Sequence, residues 1–113
     1  MTNRTIIIQT LEEALTALGQ ASESGEAITM QSPPDAIFYA GSLYYLNLFN
    51  KAKEEYPQVK ASFVFDCGDA GAEVIAAIQD GHKTIKSNAK PKVREKLKAI
   101  AQAHGVKFIE FSE

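Results

Sequence analysis

The residues best able to do chemistry lie together in Asp66-Cys67-Gly68-Asp69, directly after the apolar run 62–65. An apolar run that ends in acidic and glycine residues, just before helical spacing at 72–79, is typical of a strand, a loop and a helix in succession. Open α/β proteins hold their ligands at such junctions, beyond the carboxyl ends of the strands. The sequence therefore predicts a ligand site here, and its residue types suit a metal ion, a reactive thiol, a small molecule or simple helix capping.

Each of these residues also has a structural interpretation. Asp69 stands where a helix begins, so its carboxylate is expected to cap the free backbone N–H groups there. Asp66 and Asp69 could instead hold a divalent cation, with water supplying most of the coordination shell. Neighbouring carboxylates disfavour a thiolate at Cys67, so we expect a buried and inert cysteine. We predict no catalytic residue, no cofactor and no resident metal ion, and the sequence leaves open whether the chain is an enzyme.

The hydrophobic pattern predicts five strands and four helices in strict alternation. Thr10 and Glu13 form a capping box that opens the first helix, and Pro91 suits the first turn of the last one. Alternating strands and helices with short connections are typical of a parallel sheet with right-handed crossovers. We therefore predict a single α/β domain over residues 1–113 with a mainly parallel five-stranded sheet. The predicted strands are residues 6–8, 27–30, 62–65, 82–86 and 106–111.

The order of the strands is predicted from their polarity. The runs 6–8 and 63–65 are apolar on both faces, which favours central positions, whereas 82–86 is polar enough for the periphery. This favours the flavodoxin-like order 2-1-3-4-5, with helices on both faces of the sheet. The alternative is a singly wound order, 1-2-3-4-5, similar to small anti-sigma-antagonist (STAS) domains, which would leave the isoleucine run on an edge. In the favoured order Thr10 joins Asp66-Cys67-Gly68-Asp69 in the predicted ligand-binding site.

The composition excludes several classes of protein. The chain has 113 residues, a net charge of −2 and one cysteine, so an intrachain disulfide and a cysteine-rich zinc site are impossible. No window approaches the roughly 20 apolar residues that span a bilayer, and the first residues lack a signal-peptide pattern, so we expect a cytoplasmic protein without membrane contact. Neither a G-x-G-x-x-G fingerprint nor a P-loop occurs. Phosphoacceptor receiver domains need an acidic pair after the first strand, where this chain has Gln9-Thr10.

Several features along the chain resemble a small bacterial α/β domain family without an established activity. They are a first helix that ends near Gly25, the Ser32-Pro33 turn, a tyrosine-rich helix after Gly41, and Asp66-Cys67-Gly68-Asp69 followed by residues 76–81. The resemblance spans most of the chain. It implies a single domain and suggests no chemistry.

Two surfaces of the predicted fold bear on partners. Residues 37–49 are more apolar than a one-sided helix needs, and Tyr39, Leu43 and Tyr44 fall outside the main stripe. These three residues predict a homodimer interface, because aromatic residues are enriched in such contacts. Cover by neighbouring loops, or a tyrosine-lined pocket, are the alternatives. The second surface carries seven Lys or Arg residues between positions 83 and 98 without an aromatic residue among them, which argues against nucleic acid.

These observations predict a non-catalytic interaction or regulatory domain. It would bind a protein or a small molecule and would act as a homodimer. The alternative is an enzyme or regulator that depends on a small ligand or a divalent metal ion and works through the loop Asp66-Cys67-Gly68-Asp69.

Overall fold

Strands and helices alternate along the described chain, as the sequence predicts. The computed structural model describes residues 4–33 and 41–110. The elements in chain order are β1 (Arg4–Ile7), α1 (Leu11–Ser24), β2 (Ile28–Gln31), α2 (Ser42–Glu55), β3 (Ala61–Asp66), α3 (Gly71–Asp80), β4 (Thr84–Ser87), α4 (Pro91–Ala103) and β5 (Lys107–Glu110). The expected capping box is present at the start of α1, where Thr10 Oγ1 accepts from Glu13 N–H and the Glu13 carboxylate accepts from Thr10 N–H. Pro91 opens α4, as predicted.

The five strands form one parallel sheet in the sequential order β1-β2-β3-β4-β5. The favoured order 2-1-3-4-5 is therefore wrong, and the singly wound alternative gives the observed order. The error lies at the isoleucine run, where Ile8 is buried but Ile6 is only half-buried and Ile7 is 48% exposed. The interior position next to β3 belongs to β2, whose Ile28 and Met30 are both buried. Composition marked the run as a strand, but it did not identify the neighbours of that strand.

The helices form one layer over this sheet. Each helix packs against the next along the chain, α1 on α2, α2 on α3 and α3 on α4. Right-handed crossovers between sequential parallel strands place successive helices on the same face. Within residues 4–33 and 41–110, the expected helices on both faces of the sheet are therefore replaced by helices on one face. Phe63 and Phe65 point into this layer, where their rings contact Tyr45 of α2. Side chains alternate along a strand, so Val64 and Asp66 lie on the opposite face.

The sheet consists of two halves that are offset along the strand direction. β2 pairs with residues 61–64 of β3, whereas β4 pairs with residues 65–66. β4 and β5 are thus displaced toward the carboxyl ends of the strands. Within the described chain, this leaves the first residues of β3 without a strand on their β4 side, and a cavity lies there.

Candidate functional site

The predicted site at the end of β3 contains a buried carboxylate with one unused oxygen. Asp66 is 1% exposed. Its backbone N–H donates to Ser32 Oγ at 2.8 Å, and its Oδ1 accepts from Gly68 N–H at 2.9 Å. Its other oxygen, Oδ2, is buried and has no hydrogen-bond partner in the part of the chain that the structure describes. Buried polar atoms are normally paired, so this oxygen is a candidate acceptor for a ligand.

Burial also changes the protonation of Asp66. It raises the pKa of this carboxyl, while the Gly68 hydrogen bond and the positive charge of Lys86 act in the opposite direction. Lys86 is the register partner of Asp66 on β4, so both side chains leave the sheet on the same face. The carboxyl therefore keeps its proton more readily than an aspartate in water does.

Cys67 has the buried position that we expected. Its thiol is fully enclosed in the core. Burial, with smaller contributions from the negative charges of Asp66 and Glu73, raises the pKa of Cys67 to about 12. Because the thiolate is the reactive form, this thiol is protected from acting as a nucleophile.

The expected capping role of Asp69 is wrong. The N-cap of α3 is Ala70, one residue later, and no side chain caps it. Asp69 is exposed in the turn before it. The loop is held by its backbone instead, because the Gly68 carbonyl accepts from Asn88 N–H at 2.9 Å and from Ser87 Oγ at 3.1 Å. Gly68 has a φ of 59°, a conformation that favours glycine.

The structure does not bring Thr10 to this loop. β2 lies between β1 and β3, and neighbouring parallel strands are about 4.8 Å apart. The residue that does reach Asp66 is Ser32, which follows β2 and is fully buried. The sequential strand order would have revealed it, since this order makes β2 the neighbour of β3.

The metal alternative at this loop stays a prediction. Asp66 is buried while Asp69 is exposed. Among the described residues, no group of three or more His, Cys, Asp or Glu side chains is placed to hold a metal ion.

The predicted interface at the start of α2 is partly accessible. Leu43 is 51% and Tyr44 49% exposed, whereas Tyr39 lies outside the described residues. Tyr44 packs edge-on against Tyr45, with ring centroids 5.0 Å apart. Tyr45 itself is buried. The homodimer contact through this surface stays a prediction, because exposure shows that side chains are available and identifies no partner.

A second candidate site, which sequence reasoning missed, is the cavity below β4. It encloses about 450 Å³ between α2, the first residues of β3 and the turn from α3 to β4. Leu46, Phe49 and Phe63 supply apolar walls, and Asn50, Asp80 and His82 supply polar groups. No local motif marks such a space, because it arises from the offset between the two halves of the sheet.

His82 is the most constrained polar residue of this cavity. It is 2% exposed, and its ring stacks on Phe65 with centroids 5.0 Å apart. Its Nε2 lies 2.7 Å from the carbonyl oxygen of Ser42, and a carbonyl only accepts, so Nε2 carries the hydrogen. Within the described residues Nδ1 has no partner, and in this tautomer it is an acceptor. Burial lowers the pKa of His82, which favours the neutral ring.

The first turn of α2 is fastened to the last residue of α3 beside this histidine. The Ser42 hydroxyl donates to Asp80 Oδ2, and the Ser42 carbonyl accepts from His82. Ser42 of α2 is thus bonded both to the last residue of α3 and to His82, which precedes β4. This network holds the imidazole in a single orientation against the cavity.

The basic residues of α4 are partly neutralised. Arg94 and Lys98 both form ion pairs with Glu110 of β5, at 2.9 and 3.1 Å. Glu110 thus compensates two of the basic residues of this helix. No helix among residues 4–33 and 41–110 has the length and apolar character needed to span a membrane.

The fold and these sites define a singly wound α/β domain with a buried acid at the carboxyl ends of the strands and a cavity near their amino ends. A scan against protein-family models finds no matching family, and a search of curated proteins finds no significant match. The family resemblance of the sequence stays a prediction.

Proposed function

We propose that this chain is a non-catalytic binding domain for a small organic molecule, which occupies the cavity beside His82. The observation that carries the proposal is the cavity itself. Its volume of about 450 Å³ falls within the roughly 300–1,000 Å³ typical of small-molecule sites. It also has the usual composition of such sites, with mostly apolar walls and a few fixed polar groups.

Two of the polar groups, those of His82 and Asp80, favour a ligand that donates hydrogen bonds. His82 Nδ1 is an acceptor, and the Asp80 carboxylate accepts as well. Because burial lowers the pKa of His82, the ring remains an acceptor at neutral pH. Flat aromatic walls at Phe49 and Phe63 add a preference for a planar molecule.

The backbone of β3 adds a second element of recognition. Ile28 N–H donates to the Lys60 carbonyl and Ser32 N–H to the Val64 carbonyl, so even-numbered peptide groups face β2. In a parallel strand the odd-numbered groups then face the other side, and those of Ala61 face the gap below β4. A neighbouring donor and acceptor suit an amide or lactam edge, so we expect a neutral, planar heteroaromatic ligand.

Imidazole NMR spectra test this proposal with a built-in control. The chain has two histidines, His82 in the cavity and His104 exposed after α4. Adenine, uracil and benzamide are the planar probes, and cyclohexylmethanol is the non-planar comparison. We expect at least one planar probe to shift the His82 resonances saturably and to leave those of His104 unchanged.

A matched pair of variants distinguishes the cavity from other surfaces. Ala61→Phe fills the space, whereas Ala99→Phe makes the same change at an exposed alanine of α4 that does not line the cavity. The first should abolish the His82 shift and the second should retain it. The proposal fails if no probe moves His82 selectively, or if Ala61→Phe responds as the wild type does.

A further inference from the structure

The free edge of β1 is composed like an interior strand. Within the described chain, β1 pairs only with β2. Natural sheet edges are usually protected by lysine, proline, a bulge or a covering element. β1 begins with Arg4, but the residues that follow, 5–8, are Thr-Ile-Ile-Ile with no lysine or proline, and Ile7 is 48% exposed. Such an edge is a ready surface for pairing with another strand.

The opposite edge of the sheet is protected in the usual way. β5 begins with Lys107 and ends with Glu110, both exposed. Glu110 is further engaged by Arg94 and Lys98 of α4. The two edges of one sheet thus differ, and the unprotected edge is the apolar one.

A groove runs beside the free edge. It has a volume of about 310 Å³ and lies between β1 and the outer flank of α1. Ile6, Ile7 and Ile8 line it from the strand, and Glu12, Thr16 and Gln20 line it from the helix. A partner at this edge would therefore contact an apolar strand and a polar helix flank together.

We propose that a second copy of this chain pairs with β1 across a twofold axis, which joins the two sheets into one of ten strands. A twofold axis normal to the sheet makes the two β1 strands antiparallel and keeps the helices of both copies on the same face. With the axis at Ile6, Thr5 of one copy lies opposite Ile7 of the other. The exposed face of Ile7 is then covered by a β-branched partner.

This register keeps the acidic first turns of the two α1 helices apart. The α1 helices become antiparallel neighbours, with Thr16 near the axis and Glu12 directed toward Gln20 of the other copy rather than toward its own equivalent. Arg4 begins β1, so its position is opposite the end of the other β1, close to the acidic first turn of that copy's α1. The pairing also explains why residues 6–8 have the composition of an interior strand, since β1 lies in the interior of the joined sheet in the dimer.

The direction of the backbone groups gives a direct measurement. Ile8 N–H donates to the Gln31 carbonyl of β2. In the alternating pattern of a strand, the N–H groups of Thr5 and Ile7 then point away from β2. In the dimer they are bonded to the second copy, so their hydrogen exchange should slow as the protein concentration rises. In a monomer they would exchange rapidly at every concentration.

Light scattering after size exclusion, with two matched variants, completes the test. Ile7→Lys places a charge on the β1 edge, and Tyr44→Glu places one on the α2 surface, which is the competing prediction. We expect a wild type of twice the chain mass, a monomeric Ile7→Lys and a dimeric Tyr44→Glu, with both variants folded by circular dichroism. A monomeric wild type, or a dimer broken by Tyr44→Glu alone, would overturn the proposal. Should Ile7→Lys fail to fold, hydrogen exchange at the Ile7 N–H of the wild type tests the proposal instead. Exchange that slows as the protein concentration rises supports the dimer, and exchange that does not change contradicts it.

Discussion

Burial shifts the pKa of three residues at the candidate sites. It raises the pKa of Asp66 and of Cys67 and lowers that of His82, so each side chain is shifted toward its neutral form. Neutral groups recognise ligands by hydrogen bonds rather than by charge. This shared property fits a binding role better than it fits nucleophilic catalysis, which needs the thiolate of Cys67.

The lowered pKa of His82 predicts a loss of stability in acid. The folded protein binds a proton at this ring less readily than the unfolded chain, whose histidine pKa is about 6.5. The contribution of His82 to the free energy of unfolding is therefore complete above the pKa of the unfolded chain. It declines as the pH falls below that pKa toward the lower pKa of the folded protein. The range from about pH 7 to about pH 5 includes the unfolded pKa. Over this range, the free energy of unfolding measured with urea should fall more steeply for the wild type than for His82→Gln.

The comparison with His82→Gln isolates this one ring. Gln retains a donor for the Ser42 carbonyl but does not titrate. Asp66 titrates in both proteins, so its opposite pH dependence cancels in the difference. His104→Gln makes the same substitution at the other histidine of the chain, outside the cavity. Equal slopes for wild type and His82→Gln would show that the ring is not held neutral by the fold.

At the scale of elements, local sequence patterns were informative and long-range neighbours were not. The alternation of strands and helices, the capping box at Thr10 and the start of α4 at Pro91 all follow from signals within a few residues. Strand order is a property of pairs distant in sequence, and the isoleucine run was misplaced for this reason. The loop after β3 was identified from its residues, but its contact with Ser32 depends on β2 being next to β3.

The contact between β2 and the end of β3 predicts a specific cost for losing one hydroxyl. In Ser32→Ala, the buried N–H of Asp66 loses its acceptor at 2.8 Å. An unpaired buried donor costs about 1–3 kcal/mol, so the free energy of unfolding should fall by about that amount. Urea denaturation measures it, and Ser24→Ala, at an exposed serine at the end of α1, is the control and should change stability much less. A Ser32→Ala protein as stable as the control would contradict the proposed link.

At the scale of the whole molecule, the strands follow one another across the sheet in the same order as along the chain. Residues 1–80 carry four basic and eleven acidic side chains, a net charge of −7, and residues 81–113 carry a net +5. Because β1 and β5 are opposite edges, the β1 side is acidic and the β5 side is basic. The basic residues belong to the segment that contains β4, α4 and β5, and these two strands are adjacent at one edge of the sheet.

This charge separation predicts how salt affects self-association. Two copies that meet at β1 bring the acidic sides of both chains together, so like charges repel each other across the contact. Added salt shortens the Debye length from roughly 10 Å at about 0.1 M to about 3 Å at about 1 M. The β1 dimer should therefore tighten as NaCl is added, which sedimentation equilibrium measures as a falling Kd. A head-to-tail contact of β1 with β5 would join opposite charges, weaken with salt and grow into open chains. Dissociation on adding NaCl would therefore contradict the twofold arrangement, and it would do so without any variant of the chain.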